Sequence, residues 1–163
     1  MQQGPRTRGG GLLDWGLLLR SYLFLGLLEA VGAMAAFFFV LCGGGWEYGQ
    51  RLADGDPLYL RATTACLSAI VVMQVANVFL CRSERASAFS FGLLSNRLIV
   101  LGLITELALI LLIGYTPPGN RLFGTAPIPA SVWLFAVPFA AGMVALEEGR
   151  KWLVRRRVTV RPE

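Results

Sequence analysis

The fold class this sequence predicts is an all-α membrane protein, a bundle of four spanning helices. Hydrophobic residues make up 55% of the 163 positions and charged ones only 15%, against about a quarter charged in a soluble domain. The apolar residues gather into four blocks of about twenty, the length a helix needs to cross a hydrocarbon layer about 30 Å thick. The basic residues are shared unevenly between alternate connections, as membrane topology requires.

Taken in order, residues 1–20 form a polar N-terminal segment that is expected to be cytoplasmic. It has no secretory-signal pattern, and it ends in a short interfacial stretch, Leu12 to Arg20, with Trp15 and Arg20 suited to the headgroup zone. The first span is expected from about Ser21 to Leu41, interrupted only by Glu29. A hydrophilic loop follows from Gly43 to Asp56; its acidic residues read as a solvated loop. The second span is expected from about Leu58 to Leu80, with Gln74 and Asn77 in its later half. A short polar connection with Arg82, Glu84 and Arg85 leads to the third span, about Arg97 to Tyr115, which carries Thr105 and Glu106 near its middle. Thr116 to Ala130, with Pro117, Pro118, Gly119, Pro127 and Pro129, reads as a loop rather than a helix. The fourth span, about Ser131 to Leu146, contains Pro138 and runs into a basic tail, 147–163, with Arg150, Lys151, Trp152 and Arg155 to Arg157. The bundle as a whole is thus expected over 21–146.

Charge sets the orientation. The N-terminus, the middle connection and the tail hold twelve of the fifteen basic residues, counting Arg20 and Arg97 with them, and the other two connections hold only Arg51, Arg61 and Arg121. Both termini are therefore expected on the cytoplasmic side. The net charge of +5 belongs to this topology and not to a nucleic-acid surface. Cys42, Cys66 and Cys81 have no metal-ligand spacing, and the chain has no histidine, so neither a zinc site nor a disulfide framework is indicated.

A carboxylate at mid-span costs roughly 2.5–3.5 kcal/mol on insertion scales, so it belongs in a protein interior or a watery cavity. Glu29 and Glu106 are the two such residues. Gln74 and Asn77, three apart, neighbour each other on one helical face. Together with Thr105 and Glu106 they could gather oxygen ligands of the kind small cations take. Interhelical hydrogen bonding is the plainer role for the two amides. Glu29, between Gly26, Ala30 and Gly32, reads as part of a packed helix face.

The stretch Cys81-Arg82-Ser83-Glu84-Arg85-Ala86-Ser87-Ala88-Phe89, with Gly92 and Asn96 after it, resembles the connection between the eighth and ninth membrane helices of P-type cation ATPases of the calcium and sodium/potassium branch. Gly102-Leu103-Ile104-Thr105-Glu106 is similar to the ninth helix. Trp133, Phe135 and Pro138, with Glu147-Glu148 and Arg150-Lys151, are similar to the tenth helix and its finish. Tyr22 to Gly26 with Glu29-Ala30 resembles the seventh helix of bacterial members. The resemblance runs from about Pro5 to Arg157. It implies that Gln74, Asn77 and Glu106 stand at positions that contribute to cation sites, and that the bundle works beside a catalytic core on another polypeptide or lost by truncation. A monovalent or divalent cation is the implied cargo and the plasma membrane the implied location.

The family's phosphorylation motif, Asp-Lys-Thr-Gly-Thr, does not occur here, nor does the Thr-Gly-Glu signature of its dephosphorylating domain. Covalent phosphoryl transfer needs that activated carboxylate, so no enzymatic activity and no cofactor is expected of this chain by itself. The functions that remain are a supporting portion of a pump, a small proton-coupled carrier or channel working as an oligomer through Glu106 or Glu29, and a regulatory subunit of an intact pump.

Overall fold

The computed structural model describes residues 23–53, 55–81 and 96–159. The interfacial stretch expected at Leu12 to Arg20, most of the connection with Arg82, Glu84 and Arg85, and the last four residues lie outside them. Five helices are described: α1 (Gly26–Gly43), α2 (Pro57–Leu80), α3 (Arg97–Tyr115), α4 (Pro117–Phe123) and α5 (Ala130–Thr159). Four of them, taken as Leu23–Gly43, Pro57–Leu80, Arg97–Tyr115 and Ala130–Arg156, are long and apolar enough to cross a membrane. The protein is thus all-helical with four candidate spans, as its composition predicts.

Local chemistry sets the helix ends. Asp56 caps α2 by accepting a 2.8 Å hydrogen bond from the Leu58 amide, with Pro57 at a first-turn position where no amide donor is needed. Asn96 caps α3 in the same way, accepting from the Leu98 amide at 3.0 Å. The loop expected across 116–130 contains a helix instead. Thr116 accepts from the Gly119 amide, Pro117 and Pro118 fill the first two helical positions, and Gly124 at φ 60° ends the helix in the left-handed region. The prolines that read as breakers are helix starters here. At α5 the helix continues past Leu146 without a break to Thr159, and Pro138 is accommodated inside it.

Three helices make the core. α2 lies between α1 and α5 and presents a face of small residues to them. Ala36 of α1, Ala65 and Ala69 of α2, and Val132 and Ala136 of α5 form one buried cluster with Ile128. Leu25, Met73, Leu80 and Met143 form the second, toward the other end of the bundle. Lipid removes the hydrophobic drive for helices to associate, so small residues that permit close van der Waals contact take its place. Gly32 is one such position: a Cβ there would stand 2.5 Å from Met73 Sδ and 3.2 Å from Phe139 Cβ. Phe39 and Phe135 stack at 4.2 Å across α1 and α5.

α3 is packed differently. Only Ile110 and Gly114 are buried in it, and Leu98, Leu101, Ile104, Leu109, Leu111 and Leu112 are exposed. Polar contacts hold its C-terminal end. Tyr115 Oη donates to the Ile128 carbonyl at 2.7 Å and accepts from Trp133 Nε1 at 2.8 Å. Thr125 Oγ1 donates to the Ile113 carbonyl at 2.6 Å, and the Ala126 amide donates to Thr64 Oγ1 at 3.0 Å. The α3–α4 hairpin is thereby tied to α2 and α5 at one pole of the bundle, the pole of the α1–α2 loop.

Candidate functional site

Polar groups within the spans come from three helices: Glu29 lies in the first turn of α1, Gln74 in the last third of α2, and Glu106 near the middle of α3. α2 turns Ala65, Ser68, Ala69 and Met73 inward and leaves Gln74 exposed on another face. The Gln74 side chain lies near the Glu29 carboxyl of α1, and Glu106 of α3 is close enough for the two like charges to repel each other. Glu29 and Glu106 are both half-buried. The structure thus sets Gln74 beside Glu29 and brings Glu106 within electrostatic range of Glu29.

Asn77 has a different neighbour. Its Oδ1 accepts a 3.2 Å hydrogen bond from Cys81 Sγ, and its main-chain carbonyl accepts from the Cys81 amide at 2.9 Å. Three residues along a helix is about 300° of rotation, which leaves Gln74 and Asn77 some 60° apart. They share a side of α2, but Asn77 engages the final turn of its own helix while Gln74 reaches α1. Thr105 donates to the Leu101 carbonyl at 2.9 Å, so its proton stays within α3. Thr105 and Glu106 are the polar members of an otherwise apolar groove between α2 and α3, about 560 Å³ in volume, walled by Leu67, Val71, Leu101 and Ile110.

Glu29 is the residue whose surroundings the sequence did not reveal. Its neighbours Gly26, Ala30 and Gly32 mark a packing face, and a carboxylate within an apolar span was the signal that a polar group stands near it. Among the described residues, no three His, Cys, Asp or Glu side chains gather as a metal cage. What the three helices offer is two carboxylates on separate helices, with one amide near Glu29.

The opposite pole is charged and well satisfied. Glu147 and Lys151 of α5 are both fully buried. Arg150 grips Glu147 with two hydrogen bonds of 2.8 Å. Lys151 Nζ donates to the Leu80 carbonyl at 3.0 Å, at the C-terminal end of α2, and pairs with Glu148 at 3.3 Å. An ammonium at that end completes free carbonyls and meets the negative end of the helix dipole. Arg156 lies 3.8 Å over the Trp152 ring, a cation–π contact.

Four apolar helices and a small-residue core define a multi-pass integral membrane protein. The sequence matches the family described as cation transporting ATPase, C-terminus, over residues 1–153, and the chain belongs to that family. It is 26% identical to subunit alpha-2 of the sodium/potassium-transporting ATPase of Gallus gallus, across 96% of this chain and 18% of that protein. The alpha subunit of Tetronarce californica is 25% identical over the same shares, and the human alpha-3 subunit 26%. The chain therefore spans about 18% of the length of these relatives, and what it matches is their C-terminal membrane part.

Proposed function

We propose that the chain is the membrane-embedded C-terminal portion of a P-type cation-transporting ATPase. It would buttress the transport domain, lend Gln74, Asn77 and Glu106 to the rim of a cation site, and hydrolyse no ATP by itself. The observation that carries this reading is the match to the family over residues 1–153, with Glu29, Gln74 and Glu106 set within the spans of three helices. Such groups are costly in lipid and mark ion pathways. Their oxygen chemistry suits a monovalent or divalent cation as cargo. In this reading residues 1–20 and the basic tail 147–163 flank the bundle 21–146 on the cytoplasmic side of the plasma membrane, as the distribution of Arg and Lys supports.

Complementation tests it. A sodium/potassium-type alpha subunit lacking its last four membrane helices is co-expressed with this chain, and ATP-driven cation uptake into vesicles is measured. Uptake should appear only with both polypeptides, and Glu106→Ala should lower cation affinity without preventing co-purification. Co-purification failing, or uptake indifferent to Gln74, Asn77 and Glu106 substitutions, would sink the proposal. Orientation has its own test in Cys42 and Cys81, exposed thiols near opposite ends of the bundle. A membrane-impermeant maleimide should label Cys42 and spare Cys81 in intact cells.

Two carboxyl groups, Glu29 and Glu106, within electrostatic range of each other are also what an oligomeric proton-coupled carrier would use. That reading requires proton-linked flux in vesicles holding this chain alone, abolished by Glu106→Ala. The pump reading requires none.

A further inference from the structure

At the loop pole, the last turn of α1 and the first turns of α2 and α5 converge around a recess of about 300 Å³. Phe39, Val40, Leu58 and Val132 give it apolar walls, and Arg61 and Ser131 are its side-chain polar groups. No carboxylate lines it. Arg61 is exposed, five residues into α2, and among the described residues it forms no ion pair. The nearest acid before it on the helix, Asp56, is occupied as the α2 cap. Arg61 is also one of only three basic residues outside the three strongly basic segments, so the distribution that sets membrane orientation does not explain it.

The depth of the recess matters as much as its composition. Its walls are the ends of three spanning helices, which lie where hydrocarbon gives way to headgroups. A ligand there meets a cation at the rim and grease beneath it. That is the profile of a phospholipid: an arginine fork matches a phosphate with paired hydrogen bonds, a serine hydroxyl adds a donor, and acyl chains follow Phe39, Val40 and Val132. We propose that this recess binds a phospholipid through its phosphate, with Arg61 as the principal ligand and Ser131 as a second donor. The site is far from Glu106 along the chain and opposite the basic tail, and it does not depend on the pump reading.

The test uses the purified full chain in mild detergent, with Arg155, Arg156 and Arg157 changed to Gln so that the opposite pole contributes no phosphate binding. Native mass spectrometry follows retention of phosphatidylglycerol and of a diacylglycerol with the same acyl chains. Arg61→Gln should weaken phosphatidylglycerol about tenfold, the size of one lost charge-assisted hydrogen bond, and leave diacylglycerol unchanged. Arg61→Lys should fall between. Unchanged phosphatidylglycerol binding in Arg61→Gln overturns the proposal. So does an equal loss of both lipids, which would mean a greasy groove without phosphate recognition. Displacement of the lipid by millimolar inorganic phosphate would make the site one for the free anion and equally reject the lipid. Should Arg61→Gln fail to fold, Ser131→Ala decides: a loss of about threefold for phosphatidylglycerol alone, from one weaker hydrogen bond, is expected, and no loss overturns.

Discussion

The α1–α2–α5 core and the α3–α4 hairpin sit in the same membrane segment and are held by opposite means. The core closes through alanines, one glycine and methionines packed along its length. The hairpin touches the core through little apolar area and is fastened at one pole by Tyr115, Trp133, Thr125 and Thr64. Where helices can approach closely, dispersion suffices; where one stands off, a few directional bonds must fix it. The difference teaches that helix count alone does not define a bundle, because three of these spans form a unit and the fourth is hung from it.

The largest expected effect breaks the core. Gly32→Val should cost about 2–3 kcal/mol, since its side chain must displace Met73 and the Phe139 Cβ. Thermal unfolding in detergent would register it, and an unchanged midpoint would mean that α1 and α2 do not pack as described. Next comes a charged tie within the triad. Lys151→Met removes the donor to the Leu80 carbonyl and should cost about 2 kcal/mol, with faster maleimide labelling of Cys81 at the loosened end of α2. Equal labelling in both proteins would show that the tie is idle.

Smaller changes sharpen the contrast. Tyr115→Phe deletes the bond to Ile128 and the acceptor for Trp133. A loss of about 1 kcal/mol is expected, together with easier proteolysis near α4 and no loosening of α1. Loss of the core instead would contradict the one-ended attachment. Ser68→Ala should move stability the other way by about 0.5 kcal/mol, because its buried hydroxyl has no partner among the described residues. Destabilisation there would reveal a bond the structure lacks.

Much of this was legible in the sequence. Runs of about twenty apolar residues announce spans because bilayer thickness and helix rise leave little choice of length. The α3 boundaries, Arg97 and Tyr115, agree with the sequence reading for that reason. The α4 helix was not legible, since Pro117, Pro118 and Gly119 read as breakers until Thr116 is seen to cap them. The meeting of Glu29 with Gln74 was hidden more deeply. Spacing tells which residues share a face of one helix, but not which neighbouring helix that face meets. Gln74 and Asn77 illustrate the limit: adjacent by spacing, they look to different partners.

The unbroken course of α5 has a mechanical consequence. Thirty residues at 1.5 Å each make a rod of about 45 Å, against a hydrocarbon layer of about 30 Å. The surplus carries Lys151, whose grip on Leu80 joins the rod to the foot of α2, while Trp133 joins its other end to the top of α3. A tilt imposed on the protruding end is therefore delivered to two other spans at once, at opposite faces of the membrane, and the rod acts as a tiller for both.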